Sequence, residues 1–303
     1  MSRPLSDFLP VLRARDRLLR TIRCFFHERD FLEVSTPVRI AAPALEEHID
    51  AEPSGDCYLR TSPELALKRL LAAGCERLFE IGPCFRQNEY GPRHHPEYTM
   101  LEWYRLQADY MDILADTENL FRHILEDFSA GLHLHYGKQV IDCAPPWERM
   151  TVREAFTRWA GWDPVARYDP DRFDMDLVDC IEPALPHDRP FILYDYPAAA
   201  AALARRNPGC PAVAERWELY IAGVELANAY SELTDAAEQQ ARFADCAEKR
   251  RQAGRAVYPL DEAFLAELPR ISSAGGIAMG MDRLLMLLTD CASLDDLLPF
   301  RRR

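Results

Sequence analysis

The stretch with the densest reactive chemistry covers residues 85–104 and reads FRQNEYGPRHHPEYTMLEWY. Its hydrogen-bond donors are Arg86, Arg93, His94 and His95, and its acceptors are Glu97 and Glu102. A guanidinium group bonds two oxygens of a phosphate or carboxylate at once, so the donors suit an anionic group. The carboxylates suit an amine or an aromatic amino group. A solvated hairpin tip also fits these residue types.

Three glutamates in a second stretch, Glu218, Glu225 and Glu232, are spaced seven residues apart. The chain around them predicts two strands joined at Ala222 and Gly223, from which the carboxylates point into one cleft. Carboxylates that converge repel one another and raise their own pKa values unless a cation joins them. The candidate cations are Mg²⁺ and a substrate ammonium group. A solvated acidic strand edge is the alternative.

A third stretch, residues 275–288, predicts a glycine-rich strand that leads into a helix beginning near Asp282. Glycine lets the backbone approach a flat ligand closely. Arg283 suits a phosphate, and the positive end of the helix favours negative charge.

Elements predicted from periodicity and turn residues must position these three stretches. Residues 77–81 and 98–104 are predicted strands of a hairpin whose polar loop, 87–96, folds over a ligand. The turn Thr61–Glu64 introduces a helix over 65–73. The other predictions are a helix over 8–29, a strand over 31–37, an acidic surface loop over 41–60, a helix from residue 105 to about Phe128, a short helix over 151–161, a strand over 191–197, a short helix or turn over 198–204 and a charged, solvent-facing helix over 236–255.

The composition restricts the class of protein. The formal charge of −13 and the pI of about 5.1 disfavour a partner that is held through its phosphates. Nine cysteines without a CxxC pair indicate a reducing compartment and no zinc site. Neither a signal peptide nor a membrane-spanning run is apparent, so we expect a soluble, cytoplasmic protein. Arg301, Arg302 and Arg303 are expected to form a solvated tail.

The stretch 85–104 resembles the second sequence motif of class II aminoacyl-tRNA synthetases, and most closely the HxPEFTMLEWY of the lysyl branch. The helix, strand and Pro37 near the N-terminus look like motif 1, and residues 275–288 look like motif 3, GxxxGxDR. The resemblance implies an α+β fold with a mainly antiparallel sheet flanked by helices. It implies one catalytic domain over residues 1–303 and a homodimer built through motif 1. Residues 141–190, which are rich in proline and charge, are expected to be an insertion that packs on the catalytic sheet.

The chain departs from a lysyl-tRNA synthetase in two ways. The catalytic pattern starts almost at Met1, so no anticodon-binding domain is expected, and Ala278 stands where lysyl-tRNA synthetases have Gly. Both features resemble the family of elongation factor P–(R)-β-lysine ligases. That family activates β-lysine with ATP and transfers it to a lysine side chain of elongation factor P, so neither tRNA nor a membrane is expected as a partner.

The resemblance also implies roles for individual residues. Arg86 and Arg283 would act catalytically, with Mg²⁺ held by Glu218 and Glu225. The residues implied to bind ATP are Arg86, Gln87, Asn88, His95, Glu225, Leu226, Gly280 and Arg283. The residues implied to bind the amino acid are Ser62, Pro63, Glu64, Glu102, Tyr104, Glu232 and Ala278, with Glu232 and Tyr104 at its terminal ammonium group.

The adenine contacts differ from the family pattern Arg-x-Glu. Asn88 stands at the Glu position and Glu89 follows it, so either residue is a candidate to read the adenine amino group. His95 stands where the family often has Asn.

Other functions remain open at this point. A minimal lysyl-tRNA synthetase-like enzyme acting on α-lysine and an asparagine-synthetase-like amide ligase are the enzymatic alternatives. A catalytically inactive regulatory paralogue is the third. An inactive paralogue would be expected to have replaced at least one of the site residues Arg86, Glu225, Glu232 and Arg283. All four are present.

Overall fold

The structure is a computed structural model that describes residues 4–129 and 131–300, so the expected tail of Arg301, Arg302 and Arg303 lies outside the described residues. The α-helices are Leu9–His27 (α1), Glu64–Ala72 (α2), Tyr110–Phe128 (α3), Val152–Trp159 (α4), Pro170–Asp176 (α5), Ala236–Gln252 (α6), Glu262–Glu267 (α7) and Met281–Leu288 (α8). The strands are Leu32–Glu33 (β1), Arg39–Ile40 (β2), Pro53–Ser54 (β3), Cys57–Leu59 (β4), Arg77–Phe85 (β5), Glu97–Leu106 (β6), His133–Tyr136 (β7), Gln139–Asp142 (β8), Glu148–Thr151 (β9), Phe191–Pro197 (β10), Arg206–Asn207 (β11), Cys210–Ile221 (β12), Val224–Ser231 (β13) and Ala274–Gly280 (β14).

The main sheet runs in the order β1-β5-β6-β14-β13-β12-β10-β9, with β11 paired to β12. Its six middle strands are antiparallel to their neighbours, and only the edge strands β1 and β9 pair in parallel. The sequence prediction of an α+β fold with a mainly antiparallel sheet is therefore confirmed.

Alternation along the strands gives the sheet two buried faces. On β6, Leu101 and Trp103 pack with Phe26 of α1 in the largest core cluster, which also includes residues of α3 and α8. Tyr104 points to the opposite face and joins Leu67 of α2 and residues of α6 and α7. Because successive side chains of a strand alternate between faces, Glu102 shares the face of Tyr104.

The hairpin β5–β6, the strand pair β12–β13 and the step from β14 into α8 occur where the sequence predicts them. Ala222 and Gly223, which join β12 to β13, both have positive φ values, 52° and 68°. Such a turn matches the twist of a tight two-residue hairpin. The predicted helix over 151–161 corresponds to α4, which Thr151 caps through a hydrogen bond from the backbone N–H of Glu154.

Two predictions near the N-terminus were wrong in extent. Within the predicted strand 31–37, only β1 pairs in the sheet, because the chain contacts β5 there for two residues before reaching Pro37. The predicted acidic loop 41–60 contains β3 and β4, which form a small sheet with β2. These strands are only two and three residues long, so they are too short for an alternation of apolar residues to mark them.

Two further predictions need correction. The helix predicted from residue 105 begins at Tyr110, because β6 continues to Leu106 and Asp109 caps α3 with a capping box. The helix α6 is not simply solvent-facing, since Phe243 and Arg250 are buried on one side of it.

The segment 141–190 supplies the edge strand β9, which pairs with β10, and also α4 and α5. It therefore extends the sheet as well as packing against it. That this segment is an insertion in a single domain over 1–303 stays a prediction. Among the described helices, none combines the length and apolar character that crossing a membrane requires.

Candidate active site

A cavity of about 450 Å³ lies on the face of the sheet that carries Glu102 and Tyr104. The strands β6, β13 and β14 form its floor, and the polar loop between β5 and β6 covers it. The sequence-predicted residues that line the cavity are Ser62, Glu64, Arg86, Asn88, His95, Glu102, Tyr104, Glu225, Leu226, Ala278, Gly280 and Arg283. Four others, Pro63, Gln87, Glu218 and Glu232, do not line it.

Alternation on two neighbouring strands places the floor residues. Glu102 of β6 lies opposite Ala278 of β14 in the antiparallel register, and Tyr104 lies opposite Gly276. A Cβ atom on Gly276 would lie 2.1 Å from Cε1 of Tyr104 and 2.3 Å from Oε1 of Glu232. The floor therefore needs glycine at this position, because any side chain would collide with both groups.

One end of the cavity carries the two arginines. The guanidinium group of Arg86 lies 5.3 Å from the ring centre of Tyr98 and 3.7 Å from the carboxylate of Glu89. Nη1 of Arg283 donates to the backbone oxygen of Glu225 at 2.7 Å. These contacts aim two guanidinium groups into one space, where they suit phosphate oxygens.

The polar loop contacts the second arginine directly. Nε of Arg283 donates to the backbone oxygen of Arg93 at 3.2 Å, and Nη2 donates to Nε2 of His94 at 2.5 Å. Burial, together with Arg283, lowers the pKa of His94, which keeps its imidazole neutral and able to accept.

The other end of the cavity is acidic. Glu102 accepts hydrogen bonds from Ser62 at 2.7 Å and from Tyr104 at 2.9 Å. Burial, with a smaller contribution from Glu64, raises the pKa of Glu102 to about 8. The hydroxyl of Ser62 also accepts from the backbone N–H of Glu64 at the start of α2. The turn thus places two carboxylates side by side, where a cation would stabilise both.

Glu232 lies beside the floor, outside the residues that line the cavity, and its partner was not predicted from the sequence. Nζ of the fully buried Lys68 lies 2.5 Å from Oε2 of Glu232 and 2.6 Å from Oε1 of Glu64. Oε1 of Glu232 makes no hydrogen bond within the described residues. Burial raises the pKa of Glu232 to about 8, against the opposing effect of Lys68. The spacing of Glu64 and Lys68, i and i+4 on one helix, was the available sequence signal.

The three glutamates spaced seven apart do not converge. Glu225 lines the cavity, with Oε2 3.5 Å from Nη1 of Arg283, whereas Glu218 and Glu232 are buried outside its lining. The carboxylate of Glu218 accepts hydrogen bonds from Tyr196 at 2.5 Å, Tyr220 at 2.7 Å and Arg216 at 2.6 Å. A solvated acidic edge is excluded for Glu218 and Glu232, because both side chains are buried.

The protein groups near Glu225 suit a metal that is shared with a ligand. Within the described part of the chain, no three His, Cys, Asp or Glu side chains are grouped to hold an ion by themselves. Mg²⁺ is usually bound by one or two carboxylates together with substrate phosphates. Glu225 fits that pattern as a direct ligand. Glu218 could bind the ion only after losing some of the hydrogen bonds that it accepts from Tyr196, Tyr220 and Arg216.

The remaining predicted residues lie at the start of α2 and in the polar loop between β5 and β6. Pro63 precedes the first residue of α2. The backbone N–H of Gln87 donates to the backbone oxygen of Asp50 at 2.7 Å. Asn88 has a positive φ of 64°, and its side chain lines the cavity together with that of Glu89.

Several cavity residues were missed by sequence reasoning. They are Glu46, Tyr90, Tyr98, Asn228 and Tyr230. The alternation of Asn228 and Tyr230 on the strand that begins at Val224 was an available sequence signal. Glu46 had no such signal, because it lies in a segment without periodicity.

Comparison with known proteins places the chain in a family. Residues 6–303 match the family described as tRNA synthetases class II (D, K and N). Lysine–tRNA ligase of Dehalococcoides mccartyi is 36% identical over 97% of this chain and 64% of its own length. The elongation factor P–(R)-β-lysine ligases of Haemophilus influenzae and Pseudoalteromonas translucida are each 34% identical, over 98% and 97% of this chain and 96% of their own length.

The chain thus spans about two thirds of the lysine–tRNA ligases that it matches and nearly the whole length of the elongation factor P ligases. The resemblance inferred from the three motifs is confirmed at the level of the family. The chain belongs to the class II tRNA synthetases (D, K and N), a family of ATP-dependent ligases.

Proposed function

We propose that this protein activates (R)-β-lysine with ATP to an adenylate and transfers it to a lysine side chain of elongation factor P. The observation that carries the proposal is the charge arrangement of one cavity. Glu64 and Glu102 lie at one end, and Arg86 and Arg283 lie at the other. An amino acid with two ammonium groups needs carboxylates around its amines, and a nucleotide needs guanidinium groups around its phosphates.

In the first step, a carboxylate oxygen of the amino acid attacks the α-phosphorus of ATP. The bond from that phosphorus to the oxygen bridging the α- and β-phosphates breaks, and pyrophosphate leaves. Negative charge develops on the α-phosphate oxygens in the transition state. Arg86 and Arg283 stabilise this charge without a protein nucleophile.

Glu225 would hold Mg²⁺, with Glu218 behind it. The ion would supply positive charge to the phosphates of ATP. Asn88 or Glu89 would accept from the adenine amino group, and the remaining ATP contacts would come from Gln87, His95, Leu226 and Gly280, as the family resemblance implies.

The far ammonium group of the substrate would lie near Tyr104 and Glu232. The unbonded Oε1 of Glu232 supports this placement, since it lies within 2.3 Å of the position that a Cβ of the cavity residue Gly276 would take. Ser62 and Pro63 would form the neighbouring wall. Lys68 already neutralises part of the negative charge there, so one added ammonium group is enough to balance it.

Ala278 is proposed to favour a β-amino over an α-amino acid. It lies in the floor opposite Glu102, where one extra methyl group changes the space available to the substrate. A methyl or methylene group in a pocket is worth about 1–3 kcal/mol of discrimination.

In the second step, the deprotonated amine of the acceptor lysine attacks the carbonyl carbon of the adenylate. The bond from that carbon to the phosphate oxygen breaks, AMP leaves, the attacking nitrogen releases one proton to solvent and an amide forms. A protein acceptor is supported by the match to nearly the full length of the elongation factor P ligases and by the net charge of −13. Action on α-lysine and tRNA is the second candidate, which the 36% identity to lysine–tRNA ligase favours.

A homodimer is part of the proposal. Leu9 and Leu12 of α1 are 50% and 40% exposed, and Leu32 of the edge strand β1 is 57% exposed. Exposed apolar side chains on adjoining elements suit burial against a second copy. Sedimentation equilibrium should give twice the chain mass, and a monomer at micromolar concentration would contradict this part.

ATP–pyrophosphate exchange driven by single amino acids tests the activation step. We expect (R)-β-lysine to support exchange with a much higher kcat/KM than α-lysine. Equal or faster exchange with α-lysine, together with charging of lysine tRNA, would favour the second candidate.

A further inference from the structure

Glu46 is a cavity carboxylate to which the proposed mechanism gives no role. The neighbouring cavity carboxylates have partners within the chain. Glu64 faces Lys68, Glu89 faces Arg86 at 3.7 Å, Glu102 accepts from Ser62 and Tyr104, and Glu225 faces Arg283. Across residues 4–129 and 131–300, the side chain of Glu46 makes neither a hydrogen bond nor an ion pair.

A buried arginine holds the backbone that carries Glu46. Arg250 of α6 is fully buried, and its Nη1 donates to the backbone oxygens of Glu46 at 2.7 Å and Ile49 at 2.9 Å. Its Nη2 pairs with Oδ1 of Asp50 at 2.6 Å. A charged group that is buried with this many partners fixes the loop strongly. The carboxylate of Glu46 is therefore positioned by the fold.

The surroundings of Glu46 indicate which ligand group it would face. Burial raises its pKa, Arg86 opposes that shift and Glu64 adds to it. Glu46 therefore interacts both with the acidic end of the cavity and with the arginine at the phosphate end. An amino acid that directs its carboxylate toward Arg86 carries its nearer amine into this region. A half-buried carboxylate without a partner gains most from a ligand that brings an ammonium group.

We propose that Glu46 binds the substrate ammonium group that lies nearer to the substrate carboxylate, next to Glu64. The inference rests on the proposed function, because it assumes a substrate with two amines. It divides the recognition of the two amines between two sets of carboxylates, with Glu46 and Glu64 at the near amine and Glu232 at the far one. Glu46 is then a determinant of specificity for dicationic amino acids.

The test compares two ligands that differ by the near amine alone. (R)-β-Lysine carries it, and 6-aminohexanoate lacks it while keeping the carboxylate and the far amine. The KM of β-lysine and the inhibition constant of 6-aminohexanoate are measured by ATP–pyrophosphate exchange for the wild-type protein and Glu46→Gln. This substitution keeps the backbone oxygen that Arg250 binds. Glu47→Gln is the matched control, since Glu47 is adjacent in sequence and pairs with Lys249 at 3.2 Å.

Glu46→Gln should raise the KM of β-lysine about 10-fold or more, because a charged hydrogen bond is lost. It should change the inhibition constant of 6-aminohexanoate and the KM of ATP by less than about 2-fold. Glu47→Gln should resemble the wild type. An unchanged KM in Glu46→Gln, an equal loss with both ligands, or a defect confined to transfer onto elongation factor P would overturn the inference. Absence of exchange in the wild type with both β-lysine and α-lysine would instead overturn the proposed function, and this inference with it.

Discussion

Nζ of Lys68 lies 2.5 Å from Oε2 of Glu232, and both side chains are buried beside the floor of the cavity. The same ammonium group lies 2.6 Å from Glu64. One internal cation is therefore shared by two carboxylates from distant parts of the chain. The shared cation offsets the repulsion between these two carboxylates, which would otherwise oppose their burial side by side.

Lys68→Met should lower the free energy of unfolding by about 3–5 kcal/mol, because it leaves the buried carboxylate of Glu232 and the partly buried carboxylate of Glu64 without their cation. Urea denaturation followed by fluorescence measures this loss. Lys249→Met, which removes an exposed partner of Glu47 and Asp245, should cost about 0–1 kcal/mol. Adding Glu232→Gln to Lys68→Met should recover part of the loss. A double variant as unstable as the sum of the single variants would contradict the coupling.

The pKa of Glu102, raised to about 8 by burial and by Glu64, predicts opposite effects of pH on stability and on substrate binding. The folded protein holds the proton more tightly than the unfolded chain does. The resulting stabilisation is complete below the unfolded pKa and is lost as the pH rises through about 8. Binding of an ammonium group requires the carboxylate, so kcat/KM for the amino acid should rise between about pH 6 and pH 8.

Glu102→Gln removes this titration and should make the pH profile of kcat/KM shallower. Glu232, whose pKa is also raised to about 8, leaves a residual slope. Exchange kinetics at several pH values provide the measurement. A Glu102→Gln profile with the slope of the wild type would show that another group governs binding.

Gly276→Ala should raise the KM of the amino acid more than that of ATP. The added Cβ would collide with Tyr104 and with Oε1 of Glu232, both at the acidic end of the cavity. The control is Gly209→Ala, where the nearest atom is Oδ1 of Asn207 at 3.3 Å on an exposed turn. Equal increases in both KM values would indicate general disruption of the sheet and not loss of the amino-acid site.

Arg283→Lys should lower kcat for exchange by about 100-fold to 1,000-fold, with a smaller change in the KM of the amino acid. A lysine cannot hold Glu225 and His94 while also presenting two donors to a phosphate. Arg206→Lys, at an exposed pair with Glu238, should behave as the wild type. The measurement is kcat for exchange at saturating substrate. An unchanged kcat in Arg283→Lys would show that Arg283 does not stabilise the transition state.

Local patterns predicted the parts of the fold that depend on neighbouring residues. Alternation in 98–104, the turn at Ala222 and Gly223, and the glycine-rich run before Asp282 each indicated the element that forms. The same patterns placed Arg86 directly after β5, Glu102 within β6 and Arg283 in the first turn of α8, and these three elements meet at one cavity. The order of the strands in the sheet did not follow from local pattern.

The site features that the sequence did not predict depend on contacts between segments that are distant in sequence. The partner of Glu232 is Lys68, which is 164 positions earlier in the chain, and nothing near Glu232 in sequence indicates an internal cation. Glu46 lies in a segment whose position depends on Arg250, more than 200 residues away. Glu218 was expected to face a metal, yet Tyr196 and Tyr220 surround its carboxylate through pairing of β10 with β12.

The most direct test of the account is mass spectrometry of elongation factor P after incubation with this protein, ATP, Mg²⁺ and either (R)-β-lysine or α-lysine. We expect one lysine side chain to gain the mass of a single lysyl group, with β-lysine as the preferred donor and no gain when ATP is omitted. An unmodified partner under conditions in which lysine tRNA becomes charged would contradict the account.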